Sequence, residues 1–309
     1  MQAFNTLAPV FFMLTLGYLA RHKQWLTADQ KAGANALIFT ILFPILIFHL
    51  IMSAEIKAST FPIVLYIFIA FQLAMVLGKL LKGFIGESHA HFAHFLLPTV
   101  EGGSVALPLY LSIVGVSSNT VIFDLAGAAT AFLVIPILVS KASASNASLK
   151  ELAISTITHP FLIAIGLGLV ANAFHLNQLI SHAPFGDAYF GIIEKATSPI
   201  VGTILFILGY DLQFDPETFK SIGKLLLVRV AIYSLIIAGF FLLFPVLMEN
   251  KEFKIAVLLY FMCPTGFAMP AIIMPAFKSV KDELFSATFI SLSLIVTLVV
   301  YTLLVVFMA

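Results

Sequence analysis

The sequence predicts an all-α polytopic membrane protein in which ten transmembrane helices form two inverted five-helix repeats. Three observations predict this fold class: a very apolar composition, ten apolar stretches joined by short loops, and motifs that recur in both halves. Hydrophobic residues make up 61% of the 309-residue chain and charged residues 10%, whereas soluble domains contain about 45–50% apolar and about 25% charged residues. This composition excludes a soluble enzyme. With 16 Lys+Arg against 15 Asp+Glu, there is no basic surface to attract nucleic acid.

Ten apolar stretches are long enough to cross the hydrocarbon core as helices, which takes about 20 residues each. These predicted spans lie at residues 3–20, 34–53, 61–81, 92–116, 119–140, 152–174, 191–212, 223–247, 254–277 and 285–308. The first charges, Arg21 and Lys23, follow the first span instead of preceding it. We therefore expect a transmembrane helix there and not a cleaved signal peptide.

The distribution of lysine and arginine between the loops predicts the orientation of the spans. Loops after odd-numbered spans carry most of the basic residues, namely Arg21, Lys23, Lys31, Lys79, Lys82, Lys141, Lys150, Lys220, Lys224, Lys278 and Lys281. Loops after even-numbered spans carry only Lys57, Lys251 and Lys254. We therefore expect odd-numbered spans to end in the cytoplasm, both termini to face outside, and the protein to lie in the cytoplasmic (inner) membrane.

Motifs in the first half of the chain recur in the same order in the second half. The matched residues are Pro9, Gly17 and Ala20 with Pro160, Gly168 and Ala171, then Pro44 with Pro199, and Ser104 to Pro108 with Gly266 to Pro270. We predict repeats over residues 1–145 and 146–309 within one integral membrane domain. Because each repeat has five spans, the second is inverted, an architecture typical of transporters with a substrate site at the repeat interface.

Spans four and nine contain residues that interrupt a helix in the middle of the membrane. Pro98, Gly102 and Gly103 lie in span four, and Pro264 and Pro270 lie in span nine. Proline removes a helix hydrogen bond, and unwound backbone at that depth is tolerated only against protein or a water-filled cavity. Freed carbonyls bind cations, and half-helix N-termini favour anions. The alternative is a pair of ordinary proline kinks.

These motifs together resemble the auxin efflux carrier family of membrane transporters, which belongs to the bile-acid-symporter-like superfamily. The residues that carry the resemblance are Leu16 to Leu19, Phe43-Pro44, Gly103 to Leu109, Pro160, Gly166 to Gly168, Leu208 to Leu212 and Pro264 to Pro270. The resemblance implies crossing fourth and ninth helices and a small organic anion, plausibly a carboxylate, as substrate. Many relatives carry an asparagine-threonine-glycine sequence at the first crossing, whereas this chain has Glu101 followed by Gly102, Gly103 and Ser104.

We predict a substrate or ion site where the two interrupted spans meet. Its candidate residues are Glu101, Gly102, Gly103, Ser104, Pro108, Cys263, Pro264, Thr265, Gly266 and Pro270. An ionisable side chain inside a membrane is a functional hypothesis by default. Glu101 is therefore expected either to hold a cation or to carry a proton, and the alternative is a carboxylate that caps a helix.

Other polar residues near the membrane have less specific interpretations. His49 and Asp124 are candidate proton-relay residues, each with a solvated or interfacial alternative. Arg229 is expected to extend its side chain to the cytoplasmic surface. The group His89, His91 and His94 lacks a cysteine or a spaced carboxylate to complete a metal site, so a hydrated loop is expected.

The sequence therefore predicts a secondary active transporter of a small organic anion that works by alternating access and is coupled to protons or sodium. A sodium-coupled importer and a cation/proton antiporter remain alternatives on the same helix plan, and a membrane sensor is a third. No catalytic constellation or nucleotide-binding motif points to an enzyme. No cofactor is expected beyond a bound sodium ion or a carried proton. The expected partners are the substrate and membrane lipid, with a homodimer left open.

Overall fold

The computed structural model describes residues 2–54, 56, 60–115, 117–142, 158, 160–212 and 219–308. All regular structure within these ranges is helical, in agreement with the predicted all-α class. The predicted boundary between the repeats at 145/146, the start of span six, and the loop residues Lys57 and Lys150 lie outside the described residues.

Eight α-helices are described in the first half of the chain. They are α1 Gln2–His22, α2 Ala28–Ala36, α3 Phe43–Ser53, α4 Thr60–Leu80, α5 Lys82–Ile85, α6 Leu107–Val114, α7 Asn119–Ala129 and α8 Ile135–Ala142. Three π-helical turns precede α3, α6 and α8, at Leu37–Leu42, Gly102–Ala106 and Thr130–Val134. Helix α2 begins at a capping box in which Thr27 and Gln30 exchange side chain-to-backbone hydrogen bonds.

Eight more α-helices follow among the described residues of the second half. They are α9 Pro160–Ala173, α10 Leu176–Ser181, α11 Gly186–Asp211, α12 Phe219–Leu243, α13 Pro245–Glu249, α14 Lys251–Tyr260, α15 Met269–Ile273 and α16 Val280–Met308. Short 3₁₀ turns occur at Glu87–His89, Ala93–Leu96 and Met274–Ala276.

Seven of the described helical segments are long and apolar enough to cross a membrane. They are Ala3–His22, Asp29–Ser53, Thr60–Leu80, Asn119–Val139, Gly186–Asp211, Lys220–Leu243 and Val280–Met308. Large apolar side chains point outward from these segments, with Leu242 80% and Phe307 78% exposed. Exposed apolar surface on this scale suits lipid and not water. The membrane class is confirmed, whereas the arrangement of ten spans as an inverted repeat stays a prediction.

The predicted interruptions of spans four and nine are confirmed. Span four consists of a 3₁₀ turn that ends at Leu96, a non-helical stretch, and a helix that begins at Gly102. Span nine is helical to Tyr260 and again from Met269. The half-helix after the second break has Pro270 in its first turn, where a missing backbone N–H leaves no hydrogen bond unmade. After the first break, Pro108 lies in α6, which directly follows the π-helical turn Gly102–Ala106.

Two close helix pairs form a scaffold beside the interrupted spans. Helix α1 packs on α11 at Gly17, where an added methyl group would collide with the Phe206 carbonyl. Helix α9 packs on α3 at Gly168, where the same methyl group would lie 2.9 Å from Ile51 Cβ. Only glycine allows backbones to approach so closely in these pairs.

The scaffold pairs also share a polar contact at equivalent places in the sequence. Arg21 directly follows the matched Ala20, and its Nη1 donates to the Tyr210 and Leu212 carbonyls at the end of α11. Asn172 follows the matched Ala171, and its amide donates to three carbonyls at the end of α3. In each pair, a side chain from one half of the chain therefore binds carbonyls at the C-terminus of a helix from the other half. A repeat predicts this reciprocal arrangement.

Candidate functional site

A cavity of about 490 Å³ lies where the two interrupted spans meet. Its wall includes residues 99–104 of the first break and 266–269 of the second. Residues from α2, α3, α7, α9 and α11 also line it, including Lys31, Asp124 and Asp211. The volume falls in the range of ordinary small-molecule sites, about 300–1,000 Å³.

All three π-helical turns described in the structure contribute to this cavity. The lining residues are Phe39 from the first turn, Gly102, Gly103 and Ser104 from the second, and Ala131 and Phe132 from the third. A π-turn leaves backbone groups without regular α-helical partners and is frequent at functional sites. The cavity therefore lies where three helices depart from regular geometry.

Direct hydrogen bonds hold the two interrupted spans together. The Glu101 backbone N–H donates to the Pro264 carbonyl at 2.7 Å. The hydroxyls of Thr99 and Thr265 lie 2.7 Å apart, and the Gly266 N–H donates to Thr99 Oγ1 at 3.4 Å. The crossing that the family resemblance implies is thus built from backbone and hydroxyl groups, which satisfy one another at a depth where water is scarce.

The Glu101 carboxylate bridges the two breaks and also faces the cavity. Its Oε1 accepts from the backbone N–H and the hydroxyl of Ser104, at 3.1 and 2.7 Å. Its Oε2 accepts from the Phe267 N–H at 2.5 Å. The capping alternative therefore describes part of its role, because Glu101 caps the turn that begins at Gly102. The bond to Phe267 adds a link between spans that capping alone does not require.

A second carboxylate, Asp124 on α7, lies against the same turn. A methyl group at Gly102 would collide with the Asp124 carboxylate, so only glycine fits there. Tyr260 at the end of α14 donates its hydroxyl to Asp124 Oδ1 at 3.0 Å. Asp124 is thus half-buried beside the first break and lines the cavity; it is not solvated at the outer surface.

An ion pair missed by sequence reasoning lies on the cavity wall. Lys31 Nζ and Asp211 Oδ2 are 2.7 Å apart, with side chains 21% and 41% exposed. In the sequence, Lys31 indicates only the orientation of the spans, and Asp211 belongs only to the Leu208 to Leu212 motif. The family resemblance is the one signal for Asp211, and nothing in the sequence connects it to Lys31, 180 residues earlier.

Several predicted site residues do not line the cavity. Pro108, Cys263, Pro264, Thr265 and Pro270 shape the breaks from behind its wall. Cys263 is fully buried, and its thiol donates to the Leu259 carbonyl. Glu101 to Ser104 and Gly266, by contrast, come together on the cavity surface.

Two further polar residues lie away from the cavity wall. His49 contacts Tyr189, with His49 Nδ1 3.4 Å from the tyrosine hydroxyl, and it does not line the cavity. The expectation that Arg229 reaches the cytoplasmic surface is wrong, because its side chain is 3% exposed and turns inward to the crossing.

The histidine group near residue 90 is more ordered than the hydrated loop that was expected. His91 Nε2 lies 3.1 Å from Asp282 Oδ2, and His89 stacks on Phe285. Burial lowers the pKa of His89 and favours its neutral form. Within the described ranges, no group of three or more His, Cys, Asp or Glu is arranged to hold a metal ion.

Residues 2–139 match the family model described as membrane transport protein. This match confirms, over that region, the family resemblance that the motifs indicated, and the region includes both Glu101 and Asp124. The matched family description supports membrane transport as the coarse function. A comparison with curated proteins gives no match.

Proposed function

We propose that the protein is a secondary active transporter that carries a small organic acid by alternating access, coupled to protons on Glu101 and Asp124. The observation that supports this function best is the cavity at the crossing, into which both carboxylates face. A cavity between two interrupted helices suits alternating access, because small shifts at their contact open or close the site. The family match supports transport but does not extend to the substrate.

The contacts of Glu101 connect its protonation to the geometry of the crossing. As a carboxylate it accepts three hydrogen bonds, two from Ser104 and one from Phe267. A protonated carboxyl has one O–H donor and less capacity to accept. Hydrogen bonds to charged groups contribute about 1.5–3 kcal/mol each, which is the scale that shifts a two-state equilibrium. Binding a proton therefore weakens the link to Phe267 and favours separation of the two breaks.

The charges of the cavity explain why an anion would travel with protons. Among the described residues, three carboxylates line it, from Glu101, Asp124 and Asp211, against one cationic side chain, Lys31. Lys31 is already paired with Asp211. An anionic substrate would be repelled unless the two inner carboxylates were protonated. This arrangement supports proton–anion symport.

The ion pair indicates which side of the membrane the cavity faces. Lys31 begins span two and Asp211 ends span seven, and both ends are predicted to be cytoplasmic from the lysine and arginine bias. The cavity would then open inward in this conformation. The direction of net transport depends on the gradients and does not follow from this opening.

A cation/proton antiporter is the second candidate, favoured by the same excess of carboxylates. In that case Glu101 and Asp124 would bind a metal cation and protons in turn. The two candidates differ in what moves with the proton, since a symporter moves an acid and proton together, whereas an antiporter exchanges a cation for protons.

The test uses purified protein in liposomes that contain a pH-sensitive dye. Addition of carboxylates from a panel of mono- and dicarboxylic acids is expected to acidify the lumen at a rate that saturates with concentration. Glu101→Gln should reduce this rate by more than about tenfold, a loss equivalent to about 1.4 kcal/mol. Glu194→Gln is the matched control, because Glu194 is an exposed carboxylate on α11.

The outcomes separate the candidates. Lumen alkalinisation on addition of NaCl or KCl, with no response to any acid, would favour the antiporter. No protein-dependent proton movement with either class of solute would contradict the proposed function.

A further inference from the structure

Arg229 is a buried cation at the crossing that the proposed proton coupling does not use. It lies within α12, a candidate membrane span, and its side chain is 3% exposed. The guanidinium lies over the Tyr233 ring, 4.3 Å from its centroid. Among the described residues, no carboxylate lies within ion-pair distance of it. A charge buried in this way needs other polar partners.

Those partners are backbone carbonyls from both interrupted spans. Nη1 donates to the Leu96 and Leu97 carbonyls at 3.2 and 3.3 Å. Nη2 donates to the Thr99 and Cys263 carbonyls at 2.9 and 2.8 Å. One guanidinium thus joins the two breaks directly, because three of the carbonyls precede Glu101 and the fourth precedes Pro264.

Such carbonyls are the groups that coordinate sodium in other interrupted membrane helices. Here the protein supplies the cation itself. The Tyr233 hydroxyl donates to two of the same oxygens, Leu97 at 2.6 Å and Thr99 at 3.2 Å. All four carbonyl oxygens are therefore already engaged by the guanidinium, and two of them also by the Tyr233 hydroxyl.

The position of Arg229 relative to the carboxylates completes the arrangement. Glu101 and Asp124 face the cavity, whereas Arg229 is absent from its wall. Arg229 binds Thr99 from behind, two residues before Glu101.

We infer that Arg229 is the resident cation of the crossing, whose guanidinium takes the carbonyl ligands that a sodium ion would use, so that transport requires protons and not sodium. This inference rests on the proposed proton-coupled function and names its ion dependence. Arg229 is a positioning residue, since it acts through the backbone of the breaks and does not reach the cavity.

The first test is thermal unfolding of the purified protein in NaCl and in choline chloride at equal ionic strength. The wild-type midpoint should be the same in both salts within about 1 °C, whereas sodium binding would raise it by mass action. Arg229→Ala should lower the midpoint by at least about 4 °C, because four buried carbonyls lose the guanidinium donor and those of Leu96 and Cys263 keep no donor from Tyr233. In this variant, sodium should restore part of the loss.

Two further variants keep this test decisive. Lys195→Ala removes an exposed cation from α11 and should show neither the loss nor the sodium effect. Arg229→Lys keeps the charge with fewer donors, so it should fold and remain insensitive to sodium. This variant provides the test if Arg229→Ala does not fold. A sodium-specific rise in the wild-type midpoint would overturn the inference, as would an Arg229→Ala midpoint equal to that of wild type.

Flux measurements distinguish failure of this inference from failure of the proposed function. Proton-linked uptake from the carboxylate panel should be equal in sodium and choline media. Uptake that needs a sodium gradient would reject the resident-cation role while leaving the transporter proposal standing. If no acid is transported under any condition but the unfolding midpoints are as expected, the proposed function is contradicted. The inference that Arg229 occupies the carbonyls in place of sodium then stands.

Discussion

The two interrupted spans occupy corresponding places in the halves of the chain, yet they contribute different chemistry to the crossing. The first break supplies side chains: the Glu101 carboxylate and the hydroxyls of Thr99 and Ser104. The second supplies mainly backbone, from the Pro264 carbonyl to the Phe267 N–H, with one hydroxyl from Thr265. The repeat therefore preserves the shape of the break, while the ionisable group is confined to one half.

This difference predicts that substitutions in the first break have larger effects than those in the second. We expect Gly102→Ala to reduce transport by more than about tenfold, because its methyl group collides with the Asp124 carboxylate. Overpacking of this kind costs about 1–3 kcal/mol. Gly166→Ala on α9 is the control, since a methyl group there has no neighbour within 4 Å in the part of the chain that the structure describes. Initial uptake rates at equal protein density provide the measurement, and equal rates for the two variants would contradict the placement of Asp124.

The carboxylate beside the first break should depend on its tyrosine partner. Tyr260→Phe removes the hydroxyl that donates to Asp124 at 3.0 Å, and an unmade buried hydrogen bond costs about 1–3 kcal/mol. We expect transport to fall about five- to tenfold. Tyr301→Phe loses a comparable hydroxyl contact to Ser112, at 2.9 Å, away from the cavity. Uptake by both variants at several pH values checks the prediction, which fails if the two substitutions reduce transport equally.

Removing the Thr265 hydroxyl, which pairs with that of Thr99, tests the second break and has the smallest expected effect. Thr265→Val removes one member of the 2.7 Å contact with Thr99 and leaves the backbone links unchanged. A neutral hydrogen bond contributes about 0.5–1.5 kcal/mol, so transport should fall only about two- to fivefold. Thr99→Val should have a larger effect, because Thr99 Oγ1 also accepts from Gly266. A greater loss of transport in Thr265→Val than in Thr99→Val would contradict the claim that the first break contributes more than the second.

The breaks could be predicted from sequence because their causes are local. Proline and glycine restrict or free the backbone wherever they occur, so Pro98, Gly102 and Pro264 marked both interruptions. Close helix packing at Gly17 and Gly168 likewise agrees with the recurring motifs. These features depend on a few neighbouring residues and need no knowledge of tertiary contacts.

The partners within the site could not be predicted because they depend on which helix faces meet. Position along span five placed Asp124 near a membrane surface but did not show that it points at Gly102. Arg229 lies close enough to the end of its span for its side chain to be expected at the cytoplasmic surface. The side chain instead turns inward to the Thr99 and Cys263 carbonyls. The Lys31–Asp211 pair joins two halves of the chain, and no local rule connects them.

The central claim is that Glu101 carries the proton that drives transport. The most direct test compares two activities of Glu101→Gln in liposomes, using an acid that the wild type transports. One is accumulation driven by an imposed proton gradient, and the other is exchange of labelled for unlabelled substrate at equal pH. Because glutamine resembles the protonated carboxyl but cannot release a proton, we predict that accumulation is lost while exchange persists. Gradient-driven accumulation at the wild-type level in Glu101→Gln would contradict the claim.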